Sequence, residues 1–131
     1  MFKTALIQIN VTDLHEARAF YGETLGIGLR ERFGPDGPFE LELGSGAPVL
    51  VYLVSKSVPV EYGEQTGVTL VLETDDIEGT VATWRERGVE FLPIPWSKEE
   101  SGIAPCPYGR FIAFRDPFGN AHEVLEPTPN T

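Results

Sequence analysis

Phe114-Arg115-Asp116-Pro117-Phe118-Gly119-Asn120-Ala121-His122-Glu123-Val124-Leu125-Glu126 is the stretch whose reading decides the fold. It reads as strand, tight turn, strand. Pro117 sets φ near its turn value, Gly119 can take a positive φ, and Asp116 and Asn120 can bond neighbouring backbone. The strand after the turn alternates. Ala121, Glu123 and Leu125 point to one face; His122, Val124 and Glu126 point to the other. Glu123 therefore stands in mid-strand between two apolar neighbours on its own face. Burying a carboxylate there without a partner costs several kcal/mol, so Glu123 belongs either to a wet edge or to a site.

Reading backwards from this hairpin, residues 110–115 form its first strand, preceded by an irregular loop, PIPWSKEESGIAPCPYG, and a short strand at 89–92. Before these comes a helix capped by Asp75-Asp76 and stopped by Gly88. Ahead of the helix, residues 67–74 alternate, with Val68, Leu70 and Leu72 on one face and Thr69, Val71 and Glu73 on the other. The first half of the chain repeats this order. Residues 2–11 alternate, with Ala5, Ile7, Ile9 and Val11 on one face and Leu6, Gln8 and Asn10 on the other. Asp13 is an N-cap, with Glu16 completing a variant capping box. Leu14, Ala17, Phe20, Tyr21 and Leu25 fall on one helical face, and Gly26 is the expected stop. Strands follow near residues 27–33, 39–43 and 49–54. Asp13-Leu14 recurs as Asp76-Ile77, and Tyr21 as Trp84, both at a spacing of 63 residues (76 − 13 and 84 − 21). The register predicts an internal duplication. The expected organisation is a single domain over residues 1–131, built from βαβββ modules at 1–54 and 67–131 with a linker at 55–66.

Composition narrows the function. The chain has 131 residues, 41% hydrophobic and 23% charged, which suits one globular domain with a real core. No apolar run approaches the ~20 residues of a membrane span, so no membrane partner is expected. The opening residues lack a basic-then-apolar signal layout. Cys106 is the single cysteine, which rules out an internal disulfide. These features together predict a cytoplasmic protein. The net charge of −10 argues against a nucleic-acid partner, which would need a basic footprint. It suits a cationic ligand by steering, or simple solubility.

Two motifs carry a resemblance. One is Val11-x-Asp13-x-x-x-Ala17-x-x-Phe20-Tyr21-x-x-x-Leu25-Gly26; the other is Phe114-x-Asp116-Pro117-x-Gly119-Asn120-x-x-Glu123. With the duplicated layout, the chain resembles the vicinal oxygen chelate superfamily: glyoxalase I, extradiol dioxygenases and bleomycin-resistance proteins. The resemblance implies an α+β fold of two βαβββ modules forming a cupped, mostly antiparallel sheet, in a homodimer. It also implies metal-ligand positions on the first and last strand of each module. Those positions fall at Leu6, near Leu50 or Tyr52, at Thr69 and at Glu123. Glu123 alone has a usual ligand side chain, whereas a catalytic divalent site takes about three such donors. No metal and no cofactor are therefore expected.

The expected function is binding of a small organic molecule, such as a cationic drug, in the cup of the sheet. The alternative is a lyase, isomerase or dioxygenase of the same superfamily, with Glu123 as base or as a ligand of an unrecognised metal site. Strand period and the family's pairing set Leu6, Gln8, Thr69, Glu123 and Leu125 around one cavity. Asn10, Leu50 and Tyr52 extend the ligand-binding set. Gln8 and Asn10 are either recognition amides or partners of neighbouring strands. Trp96 and Tyr108 flank the long loop as an aromatic lid or as pins of that loop. Tyr21 and Trp84 are expected in the core, and Cys106 has no sequence-local base.

Overall fold

A computed structural model describes residues 6–44, 46–54 and 69–129. The expected linker and the start of the first strand lie outside these described residues. The chain divides into two compact units, Met1–Val58 and Pro59–Thr131.

The first unit runs β1 (Ile7–Val11), α1 (Leu14–Arg18, continued by a π-helical turn over Ala19–Thr24), β2 (Gly28–Arg30), β3 (Phe39–Glu42) and β4 (Val49–Leu53). Its sheet order is β1-β4-β3-β2, with β1 parallel to β4 and the other pairs antiparallel. The second unit runs β5 (Val71–Glu73), α2 (Ile77–Glu86), β6 (Glu90–Leu92), β7 (Ala104–Cys106), β8 (Gly109–Arg115) and β9 (Ala121–Pro127). Its order is β5-β9-β8-β6, with β5 parallel to β9 and β7 added against β8. Each unit is thus a βαβββ arrangement with the same strand order, and the second carries one extra strand. The α+β class and the mostly antiparallel pairing follow.

Local chemistry explains the shared order. Asp13 and Asp76 are both extended, at φ −151° and −146°, and accept the Glu16 and Gly79 N–H groups at 2.9 and 3.0 Å. These bonds satisfy N–H groups that a helix start leaves without partners. Gly26 and Gly88 end the two helices at φ 79° and 83°, a region costly for any residue with a Cβ. In each unit the alternate strand residues bury one face under the helix. Val11, Phe39 and Val51 are fully covered in the first, and Ile112, Phe114 and Val124 in the second. Tyr21 and Trp84 are both buried, and Trp84 meets Phe114 edge-on at 5.0 Å. Each such large apolar side chain contributes about 1.5–3 kcal/mol by leaving water.

The strand expected over 67–74 is, among the described residues, Val71–Glu73 alone, and three further elements differ from the sequence reading. The strand near 27–33 is only Gly28–Arg30, because the chain beyond it is gripped as a loop. Arg18 bonds both oxygens of Glu31 at 2.8 Å and the Gly37 carbonyl at 2.6 Å, and its guanidinium lies 4.8 Å from the Phe39 ring centre. The first helix loosens after Arg18, where Leu25 N–H reaches back five residues to the Phe20 carbonyl at 2.9 Å. The long loop contains β7, in which Pro105 is tolerated because β7 is an outer strand.

Arg18 provides a first test. The Glu31 pair is partly exposed and worth under about 1 kcal/mol, while the charged bond to the Gly37 carbonyl contributes more. Arg18→Ala should lower stability by about 1–2 kcal/mol, and Glu31→Gln by less. Equal losses in urea titration would show that the exposed pair, not the carbonyl grip, holds the loop.

Candidate functional site

The β8–β9 turn sets the site. The Asp116 carboxylate, 2% exposed, accepts the Phe118 N–H at 2.9 Å, the Asn120 N–H at 2.8 Å and the Asn120 side-chain amide at 2.7 Å. Asp116 N–H in turn donates to the Asn120 carbonyl at 2.9 Å, and Gly119 takes φ 89°. This closed cage fixes the β8–β9 register, in which Phe114 faces His122 and Ala113 faces Glu123. A slip of one residue would exchange the two faces of β9.

On the helix-covered face, His122 is buried against Phe114, and its Nδ1 accepts the Leu70 N–H at 3.4 Å. Burial lowers its pKa to about 4, against a smaller upward pull from Asp116. Glu126, on the same face, is fully engaged. It accepts from Arg110 at 3.0 Å and from Ile77 N–H at 3.1 Å, and Arg110 also pairs with Glu78 at 2.6 Å.

Glu123 occupies the other face, between Val71 of β5 and Ala113 of β8. That face is apolar. Leu92, Ile94, Ala104, Phe111, Ala113 and Ala121 form one buried cluster, with Leu125 and Cys106 packed against it. Glu123 is half-buried, and burial raises its carboxyl pKa. Among the described residues its carboxylate has no hydrogen-bond or ion-pair partner, in contrast to Glu126 three residues on. Such a group can accept a proton, or a hydrogen bond from a molecule seated on the face.

Each expected site residue has a definite place in its own unit. In the first, Gln8 pairs across with Leu50 and Asn10 with Tyr52, on the face away from the helix. Gln8 and Asn10 bond each other, amide to carbonyl, at 2.9 Å. Tyr52 and Leu6 are exposed, Leu6 immediately before β1. In the second, Thr69 is half-buried just before β5, and Leu125 shares the Glu123 face. Trp96 ties the long loop down, donating to the Pro105 carbonyl at 2.8 Å and lying 5.9 Å from the Phe111 ring. Tyr108 is highly exposed and borders a pocket of about 510 Å3 with Glu73 and Leu125. Sequence reading left out Glu73 and this pocket; the pairing of Glu73 with Leu125 in parallel register is what brings them together.

The four metal-ligand positions that the resemblance implies hold three carbon side chains or weak hydroxyls, at Leu6, at Leu50 or Tyr52 and at Thr69, and one carboxylate, Glu123. Among the described residues no three His, Cys, Asp or Glu side chains gather as a metal-holding group. This donor set does not fit a divalent ion, which needs several strong ligands at once.

The chain belongs to the Glyoxalase/Bleomycin resistance protein/Dioxygenase superfamily, whose pattern it matches over residues 3–124. It is 28% identical over 122 residues to the uncharacterized protein YetH of Bacillus subtilis (strain 168), covering 92% of this chain and 94% of that one. A solved glyoxalase/bleomycin resistance protein from Streptomyces sp. CB03234 is 27% identical, with TM-score 0.62, covering 94% of this chain and 99% of that one. The fold is also that of TnmS3, an antibiotic binding protein from the same strain, at 23% identity and TM-score 0.67 with 98% of each chain covered. No helix among the described residues is long and apolar enough to cross a membrane.

Proposed function

We propose that this chain binds a small organic molecule on the Glu123 face of β9, without a metal or other cofactor. The observation that carries the reading is the half-buried Glu123 carboxylate, which lacks a partner among the described residues while facing an apolar cluster. An unmet buried charge costs free energy that a bound donor would recover. The antibiotic binding of TnmS3 supports the reading as an example of what this fold can host. Thr69, just before β5, contributes to the same site, and the proposed setting is a cytoplasmic homodimer of single-domain chains.

A second reading rests on the same carboxyl. Its raised pKa makes Glu123 a better base than an ordinary carboxylate, the route by which such groups serve in proton abstraction. Under that reading the protein is a metal-free lyase or isomerase.

Screening small molecules by melting shift tests the binding reading. A ligand at about 100 times its Kd stabilises the fold by about 2.7 kcal/mol. Glu123→Gln should keep or raise the unliganded melting temperature, since it removes an unmet charge, and should lose the ligand's shift. A shift of the same size in wild type and variant would remove Glu123 from the site. Turnover abolished in Glu123→Gln would favour the enzyme. One transition metal per chain after dialysis in salt would overturn the metal-free reading.

A further inference from the structure

The pocket beside Tyr108 has a chemistry of its own. Tyr108 and Thr128 contribute hydroxyls, and Glu73 contributes a carboxylate. Leu125, Pro107, Pro127 and Pro129 contribute apolar surface. Prolines have no N–H to donate, and the Thr128 N–H is already held by the Tyr108 carbonyl at 2.9 Å. No Lys, Arg or His is among the described residues that line it. Gly109, at φ 150°, makes the shape achievable, since a Cβ there would strike the Glu126 carbonyl and the Thr128 nitrogen. The walls are therefore rich in acceptors and apolar surface, with two hydroxyls as side-chain donors and no cationic donor among the described lining residues.

An anion entering such a pocket would meet Glu73 and find few N–H groups to replace its water. A cation meets a carboxylate that has no ion-pair partner among the described residues, and the face of an exposed phenol ring. From this we infer that the pocket is a subsite for the positively charged end of an amphiphilic organic cation, an ammonium carried on an apolar ring or chain. Glu73 holds the charge, Tyr108 stacks on the carrier, and Leu125 with the prolines covers the apolar part. The inference rests on the reading of the Glu123 face as a small-molecule site. Leu125 lines the pocket and lies two residues from Glu123 on the same face of β9, a separation of about 7 Å. One molecule of modest length can reach both.

The test uses the full chain at low salt with three probes that share a phenethyl group, phenethylammonium, 3-phenylpropionamide and 3-phenylpropionate, titrated by NMR. Phenethylammonium should saturate with shifts at Tyr108 and Leu125, the amide should bind more weakly, and the carboxylate should not bind. Glu73→Gln should weaken phenethylammonium about tenfold, and Tyr108→Ala should weaken it too. Glu100→Gln, an exposed carboxylate outside the pocket, should change nothing. Equal binding of the cation and the carboxylate would overturn the inference, as would no saturation by about 10 mM, a very weak affinity. Equal losses in Glu73→Gln and Glu100→Gln would reduce the effect to diffuse attraction by the −10 charge and would also overturn it. Binding lost in Glu123→Gln but kept in Glu73→Gln would refute the pocket and leave the proposed function standing. The reverse pattern would uphold the pocket and refute the Glu123 site.

Discussion

Asp116→Ala is expected to cost about 3–5 kcal/mol in urea unfolding at neutral pH, a large part of the roughly 5–15 kcal/mol that holds a domain of this size. The carboxylate accepts three hydrogen bonds between 2.7 and 2.9 Å and is almost wholly buried. Bonds to an ionised acceptor contribute about 1.5–3 kcal/mol each, though not additively, and removing the acceptor leaves buried N–H groups unmet. Asp116→Asn separates the parts. Both backbone N–H groups point at Oδ1, which asparagine retains; Oδ2, facing the Asn120 amide, would become an NH2 opposed to an NH2. That variant should cost about 1–2 kcal/mol. If Asp116→Ala were no worse than Asp116→Asn, the cage would not be what holds the hairpin. Because the turn fixes which face Glu123 occupies, Asp116→Ala should also weaken any ligand that depends on Glu123.

The turn and the two capped helices could be read from sequence because their chemistry is local. Asp116 bonds residues two and four positions away, Asp13 and Asp76 bond the residue three positions on, and Gly26 and Gly88 adopt the positive φ that marks a helix end. Strand period placed Glu123 and His122 on opposite faces for the same reason. What could not be read depends on contacts distant in sequence. β7 contains a proline and shows no alternation; it exists because Ala104 and Cys106 pair with the start of β8. The early end of β2 follows from Arg18, 13 residues before the Glu31 it grips. The Glu73 pocket joins the last residue of β5 to the proline-rich end of β9 and the two residues beyond it, more than fifty positions apart. On its own, Pro127-Thr128-Pro129 reads as a tail. Ala113, the small residue opposite Glu123, carries no signal until the register is known.

His122 should make the fold lose about 3 kcal/mol between neutral pH and pH about 4. The imidazole is nearly fully buried among Phe114 and neighbouring strand residues, and its Nδ1 accepts the Leu70 N–H. Protonation would place a charge in that environment and remove the acceptor. Desolvation therefore outweighs the nearby Asp116 carboxylate, and the folded pKa falls from 6.5 to about 4. Above pH 6.5 the group is neutral in both states and has no effect. As pH falls below that, the unfolded chain takes up a proton that the folded chain refuses, at about 1.36 kcal/mol per pH unit, until the folded pKa is reached. Glu123 acts in the opposite sense, because its burial makes the folded chain hold a carboxyl proton more tightly than the unfolded chain does. Comparing wild type with His122→Phe, which keeps the ring volume, cancels Glu123 and the other carboxylates. The variant loses the Leu70 acceptor at every pH, a constant offset. The difference in stability between the two should therefore change by about 3 kcal/mol from pH 7 to pH 4 in favour of the variant. With His15 as the one other histidine, the His122 ring signals in an NMR titration should stay those of neutral imidazole until the folded pKa is approached. Parallel stability curves, or a His122 ring that titrates near 6.5, would show that water reaches it and that the helix-covered face of β9 is not closed.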